Sequence, residues 1–448
     1  MSTRRYPAYK DSGVEWLGEV PVGWGVEPLW ANSSCNDEVL PETTPPNYEF
    51  EYVEISDVSQ VEGVGTGVTV SFADAPSRAR RIARGSDVLV STVRTYLRAI
   101  AAVPSERDSV VASTGFAVFR SRSLSPTFLV YLFHAEYLVA EIISRSTGVS
   151  YPAINASTIQ KLKIPVPSIA EQNAIATFLD RETAKIDALI AEQERLIALL
   201  QEKRQAVISQ AVTKGLDPTV PMKDSGVEWL GMVPEHWDTY GFLRGFNVVY
   251  RYPTYFDISY EQSGIPEIRG EAIGLDGQIV ELDDMRFISP KTNSKFPMTQ
   301  LALNDLVMSV RGTLGKIGLV DEKFVGANIT ANLLRLSPDP SLVRAEFLVW
   351  LMRAELFTIQ LDLVSSQTTI KTVTVPQLGQ IKIPVPSLQE QKDITTFLKH
   401  ECQKMEGLKE EANKAITLLR ERRAALISAA VTGKIDVRAA GAAAQEAA

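Results

Sequence analysis

The chain has 448 residues, 46 Lys and Arg against 54 Asp and Glu, a formal net charge of −8 and an apolar fraction of 45%. That size and composition belong to a globular chain of roughly two to four domains, and the acidic balance argues against a protein that coats nucleic acid unaided, while leaving local basic faces open. Two cysteines, Cys35 and Cys402, exclude a disulfide framework and point to a reducing cytoplasm; no apolar run approaches the roughly 20 residues of a membrane span, and no apolar stretch follows the basic N-terminus as a secretory signal requires.

The first feature along the chain is Lys10 to Trp24 (KDSGVEWLGEVPVGW), an aromatic-rich opening with Trp16, Trp24 and Gly and Pro turn signals. It returns 213 positions later as Lys223 to Trp237 (KDSGVEWLGMVPEHW), with Trp229 and Trp237 in the same places. Each opening leads into a stretch that differs strongly between copies. Its short β-branched runs, such as Ser86 to Val93 (SDVLVSTV) and Leu303 to Val310 (LNDLVMSV), read as strands bounded by turns. One helix is common to both, FLVYLFHAE from Phe128 and FLVWLMRAE from Phe347, offset by 219. The chain therefore carries two heads of one fold whose loops have diverged.

Each head closes on an IPVP segment, Ile164 to Pro167 and Ile383 to Pro386, where alternating prolines impose extended geometry. Ser168 and Ser387 follow in N-cap position, and Glu171 and Glu390 complete the S-x-x-E capping box. From Ser168 to Ala211 and from Ser387 to Ala430 there is no Pro, and Gly407 is the one Gly. As helices these stretches would each extend roughly 65 Å. The first carries Ile186, Leu189, Gln193, Leu196, Leu200, Lys203 and Val207 at alternating spacings of three and four; the second carries Met405, Leu408, Ala412, Ala415, Leu419, Arg422 and Leu426 in equivalent places. That is a heptad seam. Long helices with one apolar stripe need a partner, and matched seams favour pairing with each other over two independent surface helices. An antiparallel pair would hold the heads at opposite ends of a rod with pseudo-twofold symmetry. The fold class expected is α/β (α+β), with an internal repeat and a low-complexity tail after Val437 (RAAGAAAQEAA).

No catalytic constellation is legible. Of three histidines, His134 and His400 lie on expected helices without a Cys or His at metal spacing, so no metal site is expected. Gly312 to Lys316 (GTLGK) lacks the spacing of a phosphate loop. Pro45 to Tyr48 (PPNY) has the letters of an amino-methyltransferase motif in the wrong order, and no Gly-rich loop follows a strand to hold S-adenosylmethionine. Asp321 and Glu322 beside Lys323 read as a solvated turn.

Positive charge is concentrated instead. Arg78, Arg80, Arg81, Arg84, Arg94 and Arg98 lie close together in the first head, and Arg286, Lys291, Lys295, Arg311, Lys316 and Lys323 lie in the corresponding part of the second. Arg suits bidentate contacts with guanine and phosphate. Thr95 and Tyr96 interleave polar and aromatic groups between Arg94 and Arg98, as a groove-reading loop would. The loops Thr147 to Asn155 (TGVSYPAIN) and Ser365 to Lys371 (SSQTTIK) are further candidates. Solvation of a strand face is the competing explanation for any single charge.

The repeated IPVPSIAEQNAIATFLD and IPVPSLQEQKDITTFLK joints and the LISAAVTGKID ending resemble the specificity subunit of type I restriction-modification systems, over residues 10 to 437. The resemblance implies target-recognition domains at 1–167 and 217–386, conserved long helices at 168–216 and 387–437, and a tail at 438–448. It implies that each head reads one half of a bipartite, asymmetric double-stranded DNA site. It also implies that the helices pair as a ruler and dock two modification subunits, with restriction subunits joining in some systems. S-adenosylmethionine, ATP and Mg would then sit on those partners and none on this chain, which is expected to be a non-catalytic subunit. By the same resemblance Glu171, Gln172, Phe178, Leu179, Glu390, Gln391, Phe397 and Leu398 belong to the conserved helical regions. The phenylalanines and leucines are expected to pack, and neighbouring polar residues to meet partners. Two alternatives stay open: a stand-alone methyltransferase or nuclease with a cryptic site, and a coiled-coil scaffold joining two protein-binding heads.

Overall fold

The structure, a computed structural model, describes residues 5–228, 230–251, 258–274, 276–366 and 370–438. Trp229, the middle of the Ser365 to Lys371 loop and the tail beyond 438 lie outside the described residues. The chain forms two compact units: residues up to Glu194 together with those from Asn413, and Arg195–Ala412. The proline-free stretches are helices, Ile169–Lys214 and Leu388–Val431, and each contributes residues to both units.

In the first unit the opening segment folds as a ribbon, Tyr9–Asp11 against Glu19–Pro21, and buries Trp24. The IPVP segment is strand Lys163–Val166, paired antiparallel with Gly25–Pro28. An antiparallel sheet has the order Ile100–Ala102, Val88–Ser91, Phe116–Ser121, Ser33–Cys35. A second runs Val68–Ser71, Glu49–Val53, Ser109–Ser113, Ala79–Arg84, with its central pair parallel. The expected shared helix is Pro126–His134, which bends by 62° into Glu136–Ser144. Its Phe128, Leu129, Leu132 and Phe133 are buried, and among the described residues no single helix is long and apolar enough to cross a membrane. The core is completed by both long helices: Ile175, Phe178 and Leu179 from the start of the first, Ile427, Ala430 and Val431 from the end of the second. Burying each of the larger side chains among them contributes about 1.5–3 kcal/mol. The two stretches pair antiparallel, with Asp187 Oδ1 2.9 Å from Arg423 Nε and Glu194 Oε1 3.3 Å from Arg420 Nη2.

The second unit repeats this plan. Met222–Asp224 pairs with Met232–Pro234, Trp237 is buried, and Lys382–Val385 pairs with Asp238–Gly241. Its sheets have the orders Phe246–Arg251, Leu333–Pro338, Leu306–Ser309, Ile317–Leu319, and Tyr260–Glu261, Arg286–Ile288, Ile265–Ile268, Asn328–Ile329. The parallel pair recurs between Ile265–Ile268 and Asn328–Ile329. Helix Ala345–Arg353 buries Phe347, Leu348, Leu351 and Met352 against Ile208 and Val212 of the first long helix and Ile394 and Leu398 of the second.

Both joints are pinned by a glutamine. Gln172 accepts from the Ser125 amide at 2.7 Å and donates to Pro167 O at 2.9 Å. Gln391 accepts from the Arg344 amide at 2.7 Å and donates to Leu342 O and Pro386 O, both at 2.9 Å. The bonds to Ser125, Pro167 and Pro386 are buried and those to Arg344 and Leu342 part-buried, so loss of either glutamine is costly. The repeated glutamine thus binds head to helix from within. Glu390 is committed as well, to His236 Nε2 at 2.7 Å and Trp237 Nε1 at 3.1 Å. Burial pushes its carboxyl up, but those bonds and Ser387 outweigh it and leave the group at about 2. The full capping box forms at Ser387 and Glu390; at the first helix the Glu171 amide donates to Ser168 Oγ at 3.4 Å.

The heptad seam is real, but it is displaced by one residue at every second position. On the first helix Ile186 is buried and Ile190, Gln193, Ile197, Leu200 and Arg204 are half-buried, while the expected Leu189 and Leu196 are exposed. On the second, Met405, Ala412 and Ile416 are buried and Lys409, Leu419, Arg423 and Leu426 half-buried, while Leu408 is exposed. Phe397, expected to pack, is also exposed, whereas Phe178, Leu179 and Leu398 are buried. Leucines adjacent to the true seam positions mimic a heptad, so spacing alone selects the wrong member of each pair.

Candidate nucleic-acid interface

The first head ends in a tip built from the two loops that the sequence singled out separately. Strand Val88–Ser91 runs out at Thr92, whose amide and hydroxyl both donate to Gly115 O at 2.8 and 2.9 Å. The chain then makes a single 3-10 turn, Thr95–Leu97, flanked by left-handed residues Arg94 (φ 52, ψ 48) and Arg98 (φ 55, ψ 39). For a residue with a Cβ this conformation costs about 1 kcal/mol or more. The Arg94 amide donates to Pro152 O at 2.7 Å, Val93 pairs with Ala153, and Thr95 Oγ1 lies 2.8 Å from Ser146 Oγ. Loop 147–153 thus braces the turn. Tyr96, Leu97, Val149 and Tyr151 are all exposed, and the Arg94 guanidinium lies over the Tyr151 ring, 4.5 Å from its centroid.

The second head closes its tip at the equivalent place with a turn one residue shorter, from Ser309 to Lys316 against Ser91 to Ala99. Arg311 pairs with Thr372, the Gly312 amide donates to Lys371 O at 3.1 Å, and Gly315 donates to Ser309 O at 3.0 Å. Gly312 and Gly315 are left-handed, at φ 80 and φ 76.

The arginine cluster of the first head does not form one free basic patch. Arg78 is bound to Glu54 at 2.6 Å, and Arg84 holds Glu38 with two bonds of 2.8 and 2.7 Å. Hydrogen bonds from Arg84 and then Arg120 push the Glu38 carboxyl down to about 2. Arg98 holds Glu136 with bonds of 2.7 and 2.6 Å. Arg80 stacks on Phe72 at 5.1 Å and donates to Ala79 O, and the Nε of half-buried Arg81 is enclosed. Thr95, expected in a reading loop, is buried and serves as a brace. Arg94 and Tyr96 remain exposed at the tip, and Arg94 makes no ion pair with a described carboxylate.

In the second head the Lys316 ammonium donates to Gly270 O at 3.2 Å, and Lys323 is paired with Glu281 at 2.6 Å. Arg286 stacks on Tyr260 at 5.7 Å. Lys291 and Lys295, on the short helix Pro290–Lys295 capped by Ser289, and Arg311 at the tip are exposed. Among the described residues no three His, Cys, Asp or Glu side chains gather as metal ligands would. Each unit also has a groove between its head helix and the long helices. The one in the second unit is about 1220 Å³ and is lined by Trp350, Arg353, Lys392, Lys399 and Glu406. That of the first, lined by Tyr131, His134, Asp180 and Arg423, is about 350 Å³.

Two like heads, each with a divergent tip on a common frame, define a duplicated recognition subunit. The model of the type I restriction modification DNA specificity domain matches residues 46–198 and 279–417, more than half of the chain. The specificity subunit of the Escherichia coli type I restriction enzyme EcoBI is 26% identical over 321 residues, covering 69% of this chain and 66% of that protein. The putative MjaX specificity subunit of Methanocaldococcus jannaschii is 24% identical over 437 residues, covering 94% and 96%. In fold, the chain resembles the HsdS subunit of Thermoanaerobacter tengcongensis (TM-score 0.54, 22% identity, 93% and 98% covered). It also resembles a chain from a structure of type I R-M complex assembly and conformational transition (TM-score 0.72, 22% identity, 92% and 98% covered). The chain belongs to the type I restriction-modification DNA specificity family, as a DNA sequence-recognition subunit.

Proposed function

We propose that each head reads one half of a bipartite, asymmetric double-stranded DNA site, and that the long helices set the number of unread base pairs between the halves and dock two modification subunits. The observation that carries this reading is the pair of tips, anchored by the same two hydrogen bonds and one bridge but differing in turn length and in side chains. Common frames with divergent tips suit two different target sequences, with base edges read in the major groove and phosphate contacts setting register. Docking is supported by Leu189, Leu196, Leu199, Leu408 and Leu418, which are exposed on the long helices. In this reading the chain has no catalysis of its own. Adenine methylation with S-adenosylmethionine belongs to the modification subunits, and use of ATP and Mg to restriction subunits where a system has them.

The test is genome-wide mapping of adenine methylation in a host without such systems, expressing this chain with its modification subunit. A single bipartite motif that vanishes when the chain is omitted is the expected result. Methylation that persists without the chain, or no motif despite an intact modification subunit, would place specificity elsewhere. Inserting one heptad in both long helices should lengthen the spacer and leave both half-sites unchanged.

A further inference from the structure

The tip turns of the two heads differ in one respect that local conformation does not ask for. Arg94 and Arg98 occupy left-handed positions in the first head, and Gly312 and Gly315 occupy them in the second. Hydrogen bonds fix the equivalence: Arg94 donates to Pro152 O as Gly312 does to Lys371 O, while Ser91 donates to Ala99 O as Ser309 does to Lys316 O. Glycine, lacking a Cβ, makes this turn without strain. The first head makes the equivalent left-handed positions with residues that carry a Cβ, at a cost of about 1 kcal/mol or more, so its side chains supply what the backbone does not require.

The two arginines are used differently. Arg98 is clamped by Glu136 through two bonds. Arg94 makes no ion pair with a described carboxylate and is exposed, its guanidinium carbon over the Tyr151 ring at 4.5 Å from the centroid. A guanidinium stacked on a ring keeps its N–H donors in its own plane and is held ready for a bidentate acceptor. Beside it stand Tyr96 and Leu97, 51% and 54% exposed.

We propose that Arg94 is a specificity-determining residue of the first head. It reads a guanine through O6 and N7 in the major groove, with Tyr96 and Leu97 packing against an adjacent apolar base edge such as a thymine methyl, while Arg98 and Glu136 position the turn. The proposal deepens the DNA-recognition reading above and rests on it.

Arg94→Gly is the informative variant, because it removes the side chain while giving the turn the residue the second head already uses. In methylation mapping of the chain with its modification subunit, Arg94→Gly should make one G·C position of one half-site degenerate and leave the other half-site unchanged. The loss of discrimination at that base should be about 5- to 150-fold. The thermal midpoint of the purified chain should not fall. Arg94→Lys keeps the charge but not the paired donors, so it should stay degenerate at the same position. A wild-type motif in Arg94→Gly would overturn the proposal, as would uniform weakening at all sites that Arg94→Lys restores, the mark of a phosphate contact. Loss of both half-sites with a lowered midpoint would reduce Arg94 to a structural role and overturn it too. Absence of any motif in the wild type would defeat the DNA-recognition reading itself, which separates the two failures.

Discussion

Asp187 and Arg423 stand 236 positions apart in the chain and meet at 2.9 Å between the two long helices of the first unit. Arg420 lies earlier than Arg423 and meets Glu194, which lies later than Asp187, so the helices run antiparallel there. The Glu194–Arg420 pair is open to solvent and the Asp187–Arg423 pair is part-buried, and each contributes about 1 kcal/mol or less. A double-mutant cycle with Asp187→Asn and Arg423→Gln should show a coupling of about 0.5 kcal/mol that shrinks as salt is raised. Zero coupling at low salt would contradict the pairing.

The displaced seam predicts opposite outcomes for residues two positions apart. Ile416 is 6% exposed and Leu418 65%. Ile416→Ala should lower stability by about 2–4 kcal/mol, while Leu418→Ala should stay within about 0.5 kcal/mol. Equal losses in denaturant unfolding would refute the register. If the exposed leucines dock partners, Leu418→Ser should weaken complex assembly without lowering the thermal midpoint of the chain.

Gln391, itself buried, satisfies three backbone groups, the one at Pro386 fully buried and those at Arg344 and Leu342 part-buried, so its removal leaves all three without that partner. At about 1–3 kcal/mol for an unsatisfied buried group, Gln391→Ala should cost at least about 2 kcal/mol. The Arg344 amide should lose protection in hydrogen exchange. Unchanged protection would show that the glutamine is not the pin.

His134 supplies a pH dependence. Burial pushes its imidazole down from 6.5 to about 4, against a partly opposing hydrogen bond with Ile100 O at 3.1 Å. The unfolded chain therefore takes up this proton first as pH falls. The stability contributed by neutral His134 is full above pH 6.5 and is lost by about pH 4. The first unit should lose thermal stability across that window, and His134→Gln should flatten the slope. An identical slope in the variant would exclude His134 as its source.

Much of the frame could be read from the residues because its determinants are local. A serine cap, a proline pair and a proline-free run announce a helix wherever they fall, and the helix expected over 168–211 forms over Ile169–Lys214. The seam failed at Leu189 and Leu196 because Ile190 and Ile197 are equally apolar neighbours, and only the position of the partner helix decides between them. Arg84 and Arg78 misled for a similar reason. Their partners Glu38 and Glu54 are remote in sequence, so neutralisation leaves no trace in local pattern. The tips were half legible: Arg94, Tyr96 and the loop bearing Tyr151 each stood out, but their apposition depends on the pairing of Val93 with Ala153. The left-handed arginines gave no signal of their own. Only the glycines at the matching place in the other head reveal them.

The first unit is closed by residues that lie at the far end of the coding order. The Tyr9 hydroxyl donates to Gly433 O at 2.9 Å, and Lys434 Nζ donates to Glu19 O at 2.8 Å. Ile427, Val431 and Val437 share a core with Tyr6 and Trp24, and a Cβ on left-handed Gly433 would sit 2.5 Å from Pro21. Domains generally fold in the order in which they leave the ribosome. Here the head translated first must wait, its core unsealed, until the last helix emerges. The second unit, drawn from one uninterrupted run of chain, is finished before it. Nascent chains stalled short of Asn413 would therefore carry a mature second unit and an open first one.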